Sequence, residues 1–136
     1  MILIIEDDKP LADDLKFFIE EIGHICQIYS RADEVIDNID NFAQFDWIIL
    51  DIMMLRGKQI SSDVLNSELE TGEILYQKIR GKYHYKNIIV ISAKDFNDMQ
   101  VNFRKDQYVR LLEKPLTELK LNKIIKIITE SNNVPK

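Results

Sequence analysis

The chain has 136 residues, 46% hydrophobic and 30% charged, which suits one domain with a sizeable core and excludes a disordered chain. Its net charge of −5, with no clustered lysines and arginines, argues against nucleic-acid binding. One cysteine, Cys26 in "HICQIY", excludes an intrachain disulfide and fits a reducing cytosol; the opening "MILII" is too short for a signal peptide or a membrane span.

Apolar runs of strand length recur at 2–5, 25–29, 47–50, 87–91 and 108–112. Between the first two, Leu11, Leu15, Phe18 and Ile22 mark one face of a helix, and Gly23 offers its stop. Val35, Ile39 and Phe42 predict a second helix, with Ser30 and Asp33 as its capping box. After the third strand comes a long aperiodic connection, 52–70, whose "SSDVLNSELE" has room for an early helical start. Leu75 and Ile79 sit in a third helix, entered at Thr71 and left at Gly81. Phe96, Met99 and Phe103 predict a fourth. Leu121, Ile124, Ile125 and Ile128 predict a fifth, with Thr117 as N-cap, and a frayed tail follows at 132–136. Strands alternating with helices imply an α/β fold, a parallel sheet covered on both faces.

In such a sheet, ligands bind beyond the carboxyl ends of the strands. The residues found there are Glu6, Asp7 and Asp8 after the first run, Asp51 after the third, Ser92 and Ala93 after the fourth, and Lys114 with Pro115 after the fifth. Clustered carboxylates repel one another, and a hard divalent cation such as Mg²⁺ relieves the repulsion. The ion then tolerates a phosphoryl group that the acids alone would reject. Lys114 neutralises a second phosphoryl oxygen and Ser92 donates to a third, which leaves Asp51 as the nucleophile that becomes an acyl phosphate. Each motif alone has an ordinary explanation: "EDD" caps a helix, an acid starts a loop, "KP" ends a strand. Their common position, in the order acids, acid, hydroxyl, lysine, is what carries the reading.

The segments "ILIIEDD", "DWIILDIMM", "IIVISAKD" and "LLEKPL" resemble the signature segments of the response-regulator receiver domain, over about residues 1–131. The resemblance implies a flavodoxin-like three-layer α/β/α fold, strand order 2-1-3-4-5, with five helices. It implies Asp51 as phosphoacceptor, Asp7 as a direct Mg²⁺ ligand, Glu6 acting largely through water, and the Met53 backbone carbonyl completing the metal shell. Ser92 takes the switch-hydroxyl position, the Ala93 amide touches the phosphoryl group, Lys114 binds it, and the Lys114–Pro115 peptide is cis. The implied partners are a histidine kinase or a histidine phosphotransfer protein, then a downstream protein reading the face of helix four, strand five and helix five. No nucleic acid or membrane is implied, and a homodimer is left open. The chain departs from the family in four places: Leu55 where a proline is usual, Gly72 displaced by the longer loop, Leu111 at the aromatic switch position, with Tyr108 nearby, and "KDQYVR" without the usual glycine before the fifth strand. The competing reading is a pseudo-receiver, an interaction module without phosphotransfer. A haloacid-dehalogenase phosphatase would need an acid where Met53 stands, and a flavodoxin-type phosphate loop would not read "EDDKPL".

Overall fold

The computed structural model describes residues 1–60 and 69–133, with the side chains of the last helix described to Glu130. Five parallel strands, β1 (Ile2–Ile5), β2 (Cys26–Tyr29), β3 (Trp47–Asp51), β4 (Asn87–Ser92) and β5 (Val109–Glu113), form one sheet in the order β2-β1-β3-β4-β5. Around them stand α1 (Lys9–Glu21), α2 (Ala32–Asn38), α3 (Thr71–Lys82) and α4 (Glu118–Asn133). This is the flavodoxin-like arrangement, with four α-helices among the described residues where five are expected.

The Ile-rich strands are buried on both faces because each face carries its own core. Alternate residues point to opposite sides. Leu3, Ile5, Ile48, Leu50, Ile88 and Val90 meet Phe42, Phe45, Leu75 and Ile79 on one side. Ile2, Ile4, Trp47, Ile49 and Leu112 meet Leu15, Ile19, Ile124 and Ile128 on the other. Cys26 is part of the second core, and burial, then the nearby Glu20 charge, pushes its thiol up to about 11. It is an inert packing residue.

Register places the chemistry. Ile5 pairs with Leu50, Asp51 with Ile91 and Ser92 with Glu113, so the strands end on a common edge. Asp8 caps α1 by accepting from the Leu11 amide, and the turn after α1 closes at Gly23, whose φ of 95° favours glycine. Thr117 Oγ1 accepts from the Lys120 amide at the start of α4, as its position predicts.

Several expectations need correction. α2 starts after Arg31 with no side-chain cap; instead Glu34 reaches back to the Ser30 amide and hydroxyl, and Asp33 is engaged elsewhere. From Ile39 to Gln44 the chain tightens into a 3₁₀ helix. α3 passes through Gly81 to Lys82, and its cap is Glu70, in a reciprocal box with Glu73. The early helical start is not seen at Leu69 and Glu70, and its 61–68 portion lies outside the described residues. α4 continues to Asn133, beyond the predicted end at 131.

The fourth helix is not formed. Between β4 and β5 the chain makes two short 3₁₀ turns, Phe96–Asp98 and Phe103–Lys105. The apolar spacing was helical, but Asp95 accepts from the Asn97 amide and Asp106 from the Tyr108 amide, local bonds that compete with a helix ladder. Phe103 is anchored instead against Tyr76, ring centroids 4.8 Å apart, and Phe96 against Phe103. The receiving face expected from helix four, strand five and helix five therefore lacks its first member.

Candidate functional site

Glu6 is the first residue past β1, Asp51 the last of β3, and Lys114 the first past β5. Carboxylate oxygens of Glu6, Asp7 and Asp51 all lie within 4.8 Å of one another. Glu6 and Asp51 are buried and Asp7 is partly exposed, so the cluster opens to solvent on the Asp7 side. Lys114 Nζ stands 2.7 Å from Glu6 Oε1 and 3.4 Å from Asp51 Oδ1. The Lys114–Pro115 peptide is cis.

Three carboxylates thus face one ammonium. Burial, then the Asp51 carboxylate, pushes Glu6 up to about 8, and Lys114 offsets this only in part. Burial alone would lower Lys114, but Glu6 and Asp51 outweigh it and hold the ammonium above its ordinary value. Both directions express one deficit of positive charge, which a proton or a cation can fill. Glu6 Oε1 is buried without an aligned hydrogen bond, and the donor set is all oxygen. A hard divalent ion such as Mg²⁺ fits these residues.

Ser92 is fully buried, and its Oγ donates to the Lys94 carbonyl and accepts from the Lys94 amide, both at 2.9 Å. Its hydroxyl is thus engaged locally. Ala93 is exposed beside it. The Met53 amide donates to Asp51 Oδ1 at 3.2 Å. Leu111, at the aromatic switch position, packs partly buried on the α2/α3 core, and Tyr108 meets Tyr85 edge-on at the far end of the strand.

Other residues framing the site were not legible in advance. Asp7 Oδ2 also accepts from the Leu55 amide, which ties the long β3–α3 connection to the acid cluster. That connection folds over α2, where Asp33 accepts from the Lys58 and Gln59 amides. Its ends are joined by Arg56, which donates to the Leu69 carbonyl at 2.8 Å. Glu70 forms an ion pair with Lys94 at 3.1 Å, and buried Glu73 accepts from the Glu70 amide and from Val101 on the β4–β5 connection. The only advance signal was the spacing of Glu70 and Glu73, which is that of a capping box. Gly72 sits where α3 meets β3: its amide donates to the Ile52 carbonyl, and a β-carbon there would overlap Ile52 and lie 2.6 Å from the Asp51 carbonyl.

Comparison with known proteins bears on the fold and the family. The CheY-like response regulator receiver domain protein of Methanospirillum hungatei JF-1 is similar, with a TM-score of 0.73, 21% identity, and 96% of this chain and 90% of that one covered. The receiver domain of the Francisella response regulator 1452 superposes with a TM-score of 0.70 at 23% identity, covering 95% of this chain and 93% of that one. The NtrX receiver domain from Brucella abortus gives 0.69 at 20% identity, covering 96% and 99%. At such identities these likenesses speak to the fold. No curated protein matches the chain. The family model of the response regulator receiver domain matches residues 2–126, nearly the whole chain, and the chain belongs to that family.

Proposed function

We propose that this chain is a phosphorylation-dependent switch of a two-component system, in which Asp51 accepts a phosphoryl group from a histidine kinase or a histidine phosphotransfer protein. The working unit spans 1–131, with 52–70 as an added loop, and acts in the cytoplasm. One observation carries the reading: Asp51 lies beside two further carboxylates and 3.4 Å from the Lys114 ammonium, on the carboxyl edge of the sheet.

An Asp51 oxygen attacks the phosphorus of a phosphohistidine; the P–N bond breaks and its electron pair stays on the imidazole nitrogen. Asp7, Asp51, the Met53 carbonyl and, through water, Glu6 would hold Mg²⁺, which when bound offsets the charge between carboxylates and phosphoryl oxygens. Lys114 neutralises one phosphoryl oxygen, the Ala93 amide approaches another, and the Ser92 hydroxyl donates to a third. For that, Ser92 must leave its two bonds to Lys94. The freed Lys94 backbone then shifts, with its ion pair to Glu70. The change is offered to a downstream protein by the 3₁₀ turns, β5 and α4, since no helix stands between β4 and β5.

Incubation with acetyl phosphate and Mg²⁺, followed by intact-mass measurement, tests this. Wild type is expected to gain one phosphoryl group, Asp51→Asn none, and a chelator to prevent the gain. A wild-type chain that stays unmodified would point to the pseudo-receiver reading instead.

A further inference from the structure

A ring of contacts joins both ends of the β3–α3 connection to two residues on the carboxyl edge of the sheet. Asp7 Oδ2 accepts from the Leu55 amide at 3.1 Å. The next residue, Arg56, donates across to the Leu69 carbonyl at 2.8 Å, so the ring closes without the residues between them. Glu70 follows Leu69 and pairs with Lys94 Nζ at 3.1 Å. The Lys94 backbone in turn holds the Ser92 hydroxyl through two bonds of 2.9 Å. Asp7 and Ser92 are therefore linked around the outside of the molecule as well as across the acid cluster.

The links differ in strength. A hydroxyl has one proton, so Ser92 cannot donate to a phosphoryl oxygen and to the Lys94 carbonyl together. Once Lys94 is released, its shift has few ways out. Further along the β4–β5 connection, the Val101 amide is held at 2.7 Å by the fully buried Glu73, and Asp106 is held by Tyr76 and Arg80. The Lys94–Glu70 pair is wetter, its side chains 33% and 30% exposed, and such a pair contributes little. Stripping a buried carboxylate of its partners costs far more. The exposed pair therefore opens first. Glu70 lies just outside α3, whose first turn is fixed by the Gly72 amide on the Ile52 carbonyl, so the helix body stays in place.

We propose that the β3–α3 connection reports the state of Asp51: when Ser92 turns to the phosphoryl group, the Lys94–Glu70 pair opens and the ring holding Leu55 and Arg56 to Leu69 and Glu70 loosens. Met53 is 42% and Leu55 79% exposed, so the change lies at the surface, a route of output separate from β5 and α4. The inference rests on the function proposed above for its trigger, while the ring itself stands in the unmodified chain.

Amide exchange resolved by residue, with intact mass measured alongside, tests it on the full chain. Acetyl phosphate with Mg²⁺ is expected to speed exchange of the Leu55 and Glu70 amides in wild type on the order of threefold, as fits loss of one half-exposed pair. The Val101 amide on Glu73 is expected to stay protected. Lys94→Gln is expected to show the faster exchange before any phosphoryl group is added, with no further rise at Glu70 afterwards. Lys94→Arg keeps the cation and is expected to behave as wild type. Glu70→Gln keeps an oxygen for the α3 cap but not the charge, and is expected to match Lys94→Gln at Leu55; it decides the matter if Lys94→Gln loses its circular-dichroism signature. The proposal is overturned if the Leu55 and Glu70 amides are as protected in the folded charge-removed chains as in wild type. A mass gain with exchange altered only in β5 and α4 overturns this inference alone, whereas no mass gain in wild type overturns the phosphorylation reading and the trigger with it.

Discussion

Gly72 shows how closely the site is built. Its missing side chain lets the first turn of α3 lie directly on the Asp51–Ile52 backbone. Gly72→Ala forces backbone apart rather than a flexible side chain, and is expected to destabilise by about 2 kcal/mol or more in chemical denaturation. Asp7→Asn removes a formal charge from an oxygen-ligand site and should weaken Mg²⁺ binding on the order of tenfold, followed through Trp47 fluorescence. Lys114→Ala should leave Mg²⁺ binding near intact while weakening the response to phosphorylation; an unchanged response contradicts its role. The acids, Ser92 and Lys114 were legible because each stands at or just past the end of an apolar run, where topology forces convergence. The partnerships of Asp33, Glu70 and Lys94 were not, because each reaches 24 to 26 residues along the chain to or from a connection that has no periodicity.

Among the elements, α3 is the hub. Glu73 ties its first turn to Val101, and further along Tyr76 and Arg80 both bond Asp106. Burial would raise Asp106, but bonds from Tyr76, Tyr108 and Arg80 outweigh it and lower the carboxyl below the usual range. A lowered carboxyl stabilises the fold above its unfolded value of about 3.8 and loses that contribution as pH falls through its folded value. Asp106→Asn is accordingly expected to be less stable than wild type at neutral pH, with a shallower loss of stability in acid, measured by urea denaturation across pH. The same bonds explain why the fourth helix could not be foreseen. Phe96, Met99 and Phe103 have helical spacing, yet Glu73, Tyr76 and Asp106 hold this stretch from outside it. Periodicity reports what a segment can bury, and here the neighbours decided how.

For the whole molecule, two cores share one sheet, so neither half has a boundary at which to unfold alone. A single cooperative thermal transition is expected, and Mg²⁺ should raise its midpoint in wild type but little in Asp7→Asn. The architecture was legible at this scale because five apolar runs alternating with amphipathic segments leave few topologies open. Strand bounds agreed to within one residue, since buried runs end sharply where polar groups begin.

The in-register ending of the parallel strands has a consequence for how such a chain can change. Side chains alternate along a strand, so one residue gained or lost within β3 would turn Asp51 into a core facing and bring a hydrocarbon to the rim. Connections carry no such constraint. Growth between Met54 and Thr71 leaves every pairing untouched, and novelty can accumulate at the doorstep of the chemistry while the frame that aims it stays fixed.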